Sequence, residues 1–506
     1  MTGWTTVTAR WSSRSLVHSS RTRQPLASAS SSSSSTTVRA AAATGESPHR
    51  RRLYHELAFA STATDPLEVL RYQQLEEDAD TGAKQPPARM LEWIKTHANK
   101  NNNKNNKKNR TEDALVQIEW ACAPWNPADL NTVQGTYGSP YSNPEDQARA
   151  AALTSSAYDH GYQVVGSEGW GQVVDIVPEK QGGASTTPSS PKFHRGDWVT
   201  VGQSGLGTMR SSVWLPESCL LAIPKAEQVI ASQAVAAGAA AAAAGGTEDD
   251  QDTVPAAARA STLFQLGGTA LRMLSDFTAL PPGSMVVQNA GNSGVGFMAS
   301  QLVALAVPDC YMVSLVRRGD RTPQQYDAMV QYLTTTGKNH MVVAEEDLED
   351  PDSMKEFQSS MKQTLPTSSS RPVLALNAVG GSSSQLLCQL LGPSGTHVTY
   401  GGMSRKPVTV GTAQLIFKDL RFFGYWHSRW MIQQQQQQQD GNRRREEMIQ
   451  QLVDLAIQTE PARRLECPPV KVFPLAKYRE ALAFDKNQSH DGIRSKIVFA
   501  CREAAA

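Results

Sequence analysis

The sequence predicts an α/β protein in which a doubly wound parallel sheet is joined to a β-rich second domain. Three observations carry that expectation. After about residue 265, apolar strand-like runs alternate with helical patterns, as in a parallel sheet covered on both faces. The first of those runs ends in a glycine-rich turn, "VVQNAGNSGVG" (286–296). Upstream of 265, short Val-rich segments lie between Gly and Pro turn signals, which reads as strands of a partly barrel-like sheet.

The 506 residues allow two or three domains. A formal net charge of +1 offers no global field for nucleic acid. Six cysteines without a C-x-x-C pair argue against a disulfide framework or a structural zinc site and fit a reducing compartment. The first 45 residues contain no Asp or Glu but carry Arg10, Arg14, Arg21, Arg23 and Arg39 among Ser, Thr and Ala. That is the composition of an organellar transit peptide, so residues 1–50 are expected to direct the chain to the mitochondrial matrix. No membrane span is expected, because the Ala/Gly run from Val229 lacks the Leu, Ile and Phe that favour insertion.

Low-complexity inserts are expected near 98–110, 178–192, 232–260 and 433–445. The Asn/Lys tract near residue 100 has no interleaved aromatics to stack bases, so it reads as a solvated loop, with no nucleic-acid partner. The glutamine run 433–439 reads as a disordered elongation. Segments 52–75 and 114–122 read as two strands of one antiparallel hairpin, and 169–177 and 196–202 as strands joined by a stretched loop. The β-rich domain is assigned 51–265 with 429–506, and the parallel-sheet domain 266–428.

In the second domain, "TALRMLSDF" (269–277) is a helix and "MVVQ" begins the first strand. "CYMVSLVRR", "HMVVAEE", "RPVLALNAVGG" and "GTHVTYGG" are further strands, with helices "PQQYDAMVQYLTTTG" and "SSQLLCQLL" between them; "FFGYW" (422–426) ends a sixth strand. The glycine turn then lies at the end of the first strand and opens a helix, where a pyrophosphate meets free N–H groups and a positive dipole end. The spacing G-x-x-G-x-G is weak alone; its context between strand and helix makes it a dinucleotide site. The second strand ends in Arg317-Arg318 instead of the acidic residue that holds an NAD ribose. Paired guanidiniums suit a 2′-phosphate, so the expected cofactor is NADPH. "TYGGM" (399–403) and "FFGYW" stand at strand ends facing the ligand crevice, where they can hold the nicotinamide side.

The β-rich N-terminal part, the "PGS-V-V" entry to the glycine turn and the returning "SKIVFA" resemble the medium-chain dehydrogenase/reductase superfamily, which implies a GroES-like catalytic domain beside a Rossmann domain. Zinc members carry G-H-E-x-x-G; this chain has "GSEGWG", with Ser167 and Glu168. Serine does not replace an imidazole on zinc, and no other Cys/His set has useful spacing, so no metal is expected. "NPADLNTVQGTYG", "GLGTMRSS", "QNAGNSGVG", "ALNAVGG", "VTYGGMSRKPV" and "LIFKDLRFFGYWHSRW", in that order over about 115–430, are similar to the mitochondrial trans-2-enoyl-thioester reductases of type II fatty-acid synthesis.

That resemblance implies NADPH-dependent reduction of an enoyl thioester carried on acyl-carrier protein or coenzyme A, by a homodimer. It places the catalytic tyrosine at Tyr137 and the phosphate loop at Asn292, Ser293, Gly294 and Val295. It places the 2′-phosphate side at Arg317, Arg318 and Gly319, and the nicotinamide side at Tyr400, Gly401, Gly402, Met403, Tyr425, Trp426 and His427. A C-terminal cofactor lysine falls on Lys496. The family's Asn-Pro ahead of "TA-RML" has no counterpart: "LFQLGGTALRML" puts Leu266 at the Asn, or Gln265 in a register one residue away. A zinc-free quinone or enone reductase shares the glycine loop and the NADPH preference. A non-catalytic cofactor- or RNA-binding relative is the alternative outside enzymology.

Overall fold

In a computed structural model of the chain, the described residues are 53–63, 65–76, 114–136, 144, 147, 162–177, 192–243, 257–307, 309–337, 339–364, 371–488 and 494–502. Tyr137, the transit segment and the Asn/Lys tract lie outside them.

The parallel half is a six-stranded sheet of β9 (Met285–Gln288), β10 (Tyr311–Val316), β11 (His340–Ala344), β12 (Leu374–Asn377), β13 (Thr396–Thr399) and β14 (Arg421–Gly424). Its order, β11-β10-β9-β12-β13-β14, reverses direction at β9, the doubly wound arrangement that opens a crevice at the strands' carboxyl ends. Every residue of β9, β10 and β12 is buried, because helices cover both faces; hence these strands read as continuous apolar runs without alternation.

The β-rich half is built on β3 (Leu115–Pro124), β5 (Trp170–Val177), β6 (Trp198–Val201), β7 (Ser212–Pro216) and β8 (Leu220–Ala222). The C-terminal β15 (Val470–Pro474) and β16 (Lys496–Ala500) return to it in the order β15-β16-β3-β5-β6-β8, with β7 also on β3. The antiparallel pairing of β5 with β6 gives the expected hairpin across 178–191. Two register shifts along β3 and β5 bend the sheet towards closure.

Two expectations need correction, and the alanine insert takes a definite structure. Segments 52–75 and 114–122 do not pair with each other: β1 (Leu53–Phe59) pairs antiparallel with β2 (Arg71–Glu76) and with β4 (Gln163–Val164), while β3 sits in the larger sheet. Asp65, whose carboxylate accepts the Leu67 N–H at 3.0 Å, caps the short helix Pro66–Val69 and folds the chain back locally. Closing that short loop costs less entropy than closing across the Asn/Lys tract. The alanine run is helical, Ala226–Ala243, with Val229, Ile230 and Gln233 buried, in keeping with alanine's helix propensity. The glutamine run is helical too: His427–Gln436 continues after a turn at Gln437 into Gln438–Ala456, and Gln435 donates to the Ser218 carbonyl at 3.0 Å.

Candidate active site

The turn after β9 leads into the helix Gly294–Ala306, capped by Ser293, whose Oγ accepts the Gly296 N–H at 3.1 Å. Its glycines face protein. A Cβ on Gly296 would stand 2.6 Å from the Ala290 carbonyl, one on Gly291 2.5 Å from Ser314 Cβ, and one on Gly294 2.9 Å from Leu266 Cδ1. Ala290 takes the left-handed conformation (φ 49°) that sharpens the turn. Beneath it, Gln288 Nε2 lies within 3.0 Å of Gly296 O, Ser300 Oγ and Ser314 Oγ. Burial pulls His340 down to about 4, so the neutral ring donates from Nδ1 to Leu333 O (2.8 Å) and accepts the Ser314 hydroxyl at Nε2 (2.7 Å). The turn therefore rests on a hydrogen-bonded base of Gln288, Ser300, Ser314 and His340, although Gln288 Oε1 is buried without a partner among the described residues, and the helix start leaves its first amides for a ligand.

The loop after β10 separates the arginines. Arg318 makes a bidentate pair with Asp347 (2.7 and 2.6 Å) and lies 5.3 Å over Tyr326; its hydrogen bonds to the Asp347 carboxylate hold its pKa above the ordinary value. Glu346 accepts the amides of Arg318 (3.0 Å) and Gly319 (3.3 Å). Arg317 is exposed and forms no ion pair among the described residues. Arg321, not anticipated from the sequence, folds over the loop to donate to the Arg317 carbonyl at 3.1 Å, and its Nε is buried without a partner.

At the other strand ends, Tyr400 Oη is buried beside Ser293, and nothing among the described residues meets it at hydrogen-bonding geometry. A Cβ on Gly402 would meet nothing within 4 Å, and Met403 is 56% exposed. Val295 packs against the core. Tyr425 bonds His427 Nδ1 at 2.8 Å. Burial raises the Tyr425 phenol and lowers His427 to about 3, so the phenol donates and the imidazole keeps its proton on Nε2. Trp426 carries Arg429 over its ring at 5.0 Å. Arg405, in the loop after β13, donates to Gln134 Oε1 at 3.5 Å, so the end of the helix Pro127–Val133 lies against that loop.

Between the halves lies a buried polar cluster. Asp129 accepts the Asn126 N–H (2.8 Å) and the Ser167 hydroxyl (2.7 Å). Glu168 accepts the Asn126 side-chain amide (3.1 Å) and the backbone N–H of Gln265 (2.9 Å). Burial pushes Asp129 up to about 6 and raises Glu168. It lowers Lys496, whose charge is held by Glu168 and Asp129. Glu168 and Gln265 also line a cavity with Phe264, Leu221, His427 and Met431. Carboxyls set among Gly, Pro and apolar residues in "NPADL" and "GSEGWG" were the sequence signal for this cluster. Among the described residues no group of three His, Cys, Asp or Glu gathers as metal ligands.

These features fit a dinucleotide: the first amides of a helix start, a buried tyrosine hydroxyl beside its cap and, among the described residues, a guanidinium without an ion pair at the second strand's end.

No family model matches the chain. The Etr1p/NADP/crotonyl-CoA complex superposes with a TM-score of 0.60 at 21% identity, over 89% of this chain and 100% of that one. A putative NADPH:quinone reductase from Bacillus thuringiensis superposes with a TM-score of 0.55 at 14% identity, over 89% and 99%. These structures share the fold of this chain, a doubly wound parallel sheet beside a β-rich half. The mitochondrial enoyl-[acyl-carrier-protein] reductase of Mus musculus is 33% identical over 372 residues, 73% of this chain and 78% of the relative; that of Xenopus tropicalis is 31% identical over 371 residues, 73% and 83%. The chain belongs to the mitochondrial enoyl-[acyl-carrier-protein] reductase family.

Proposed function

We propose that this chain reduces trans-2-enoyl thioesters with NADPH in the mitochondrial matrix. The observation that carries the reading is the Ser293-capped phosphate turn with the Tyr400 hydroxyl buried beside it, set in a chain of this family. Bound NADPH supplies a hydride to the substrate β-carbon. The chain's residues do the rest. Ser293, Gly294 and the amides behind them hold the diphosphate, Arg317 the 2′-phosphate, and the ends of β13 and β14 position the nicotinamide. Charge develops on the thioester oxygen, where a hydrogen-bond donor stabilises it. Tyr137 is that donor, or the acid that protonates the α-carbon; a phenol of pKa about 10 stays protonated at working pH. The buried cluster at Asn126 and Asp129 anchors the start of its segment.

Residues 266–428 form the NADPH-binding domain and 51–265 with 429–506 the catalytic domain, without metal. The partner is a second copy of this chain. Leu415, Ile416 and Phe417 on the helix Thr412–Lys418, and Phe423 on the edge strand β14, stay exposed, Phe417 by 81%. An apolar patch beside an unpaired strand edge is what a homodimer would cover. The acyl carrier is acyl-carrier protein or coenzyme A.

The test is NADPH oxidation with enoyl thioesters, NADH and quinones run in parallel. Enoyl reduction with NADPH preferred is expected, and Tyr137→Phe should lower kcat by about 100-fold or more without weakening NADPH binding. Quinone reduction with inert enoyl thioesters would replace this reading with the quinone reductase.

A further inference from the structure

A second cavity borders the phosphate loop, and its walls come from both halves of the molecule. Asn292, Ser293 and Gly294 form one side, while Pro468, Pro469 and Arg494 bring the C-terminal return to the other. The Lys496 N–H donates to Pro469 O at 2.7 Å, which pins the start of β16 beside that pair of prolines. Arg494 therefore reaches the cavity from a chain end anchored in the catalytic sheet. Among the described residues lining this cavity it is the one charged side chain.

We propose that Arg494 is a cofactor-positioning residue whose guanidinium binds the diphosphate of the dinucleotide lying on the Asn292–Gly294 turn. This rests on the NADPH reading above. The turn alone offers amides and a dipole end, whereas a diphosphate carries two negative charges. A planar guanidinium matches such oxygens with paired N–H donors. Arg494 now donates to Asp485 Oδ1 at 2.8 Å, on the helix Tyr478–Asn487. The Arg494 side chain is 46% exposed, so water screens that pair. Exchanging Asp485 for a doubly charged diphosphate in the cavity costs little. Because Arg494 belongs to the catalytic half, its contact also ties cofactor binding to the seating of one half on the other.

The experiment measures dissociation constants for NADPH and NADH by tryptophan-fluorescence quenching, at low and high salt. The proteins are the full chain and its Arg494→Gln, Arg494→Lys and Asp485→Asn variants, with circular dichroism confirming that each is folded. Arg494→Gln should weaken both dinucleotides by the same factor, about ten-fold at low salt, and reduce the salt dependence. Arg494→Lys should recover part of the loss, and Asp485→Asn should tighten binding. Unchanged affinity in Arg494→Gln, beside a wild type that binds NADPH normally, overturns the inference. Loss confined to NADPH also overturns it, since the contact would then be the 2′-phosphate. A wild type that binds neither dinucleotide sinks the NADPH reading itself.

Discussion

Glu168, two residues before β5 of the β-rich half, accepts the backbone N–H of Gln265 at 2.9 Å, ahead of the parallel sheet. The same carboxylate holds Asn126, so one buried side chain joins the two halves and the segment that runs on to Tyr137. Glu168→Ala would leave the Gln265 amide and the Asn126 side chain without this acceptor. Loss of about 2 kcal/mol is expected. Glu168→Gln keeps one acceptor for the Gln265 N–H but turns its NH2 towards the Asn126 amide, so it should fall between wild type and Glu168→Ala. Urea unfolding midpoints decide the matter; equal losses in the Ala and Gln variants would mean that both carboxylate oxygens are needed.

The glycines of the phosphate turn should rank by what each faces. A Cβ at Gly296 meets backbone, the Ala290 carbonyl at 2.6 Å, whereas at Gly294 it meets the far end of Leu266 at 2.9 Å. A leucine tip can rotate and a carbonyl in a tight turn cannot. Gly296→Ala should therefore cost about 2 kcal/mol or more in stability, and Gly294→Ala clearly less. Combining Gly294→Ala with Leu266→Val should restore part of the loss, a coupling that a double-mutant cycle measures.

Arg317 and Arg318 should separate by function. Arg317→Ala is expected to raise the NADPH dissociation constant about ten-fold or more and leave NADH unchanged. Arg318→Ala breaks the bidentate pair with Asp347 and should lower the melting temperature, with similar effects on both dinucleotides. Isothermal titration with each cofactor tests this, and a NADPH-selective loss in the Arg318 variant would reverse the assignment.

Acid should destabilise the fold below neutrality. Burial pulls His340 and His397 down to about 4 and His427 to about 3, while unfolded imidazoles take up protons near 6.5. Between those values the unfolded state binds more protons, so this stability is present above pH about 6.5 and is lost as pH falls towards 4. Asp129, pushed up to about 6, acts oppositely: it stays protonated in the folded state, so its contribution falls as pH rises from about 4 to 6. Glu168 is raised in the same sense as Asp129. Three strongly shifted imidazoles outweigh these carboxyls. The unfolding midpoint at pH 5 should lie below that at pH 7.5, and His427→Gln should flatten the difference.

Much of the architecture was legible because it is local. Alternating apolar runs and helical patterns marked the strands of the parallel sheet, and the glycine turn between a strand and a helix located the nucleotide crevice. The glutamine run was expected to be disordered because composition alone does not show a packed face, and the alanine insert likewise forms a helix. Buried Gln233 and Gln434 show that faces of those helices pack, which composition does not reveal.

The sequence by itself determined the doubly wound sheet, the position of its phosphate turn and the arginines at the second strand's end, since periodicity and turn chemistry act over a few residues. Only the tertiary structure decided which groups are engaged. It tied Arg318 to Asp347, left Arg317 open, paired β1 with β2 instead of β3, and gathered Asp129, Glu168 and Lys496 from distant parts of the chain. Those outcomes depend on burial and non-local pairing: a charge taken out of water must find its partner wherever the fold brings one.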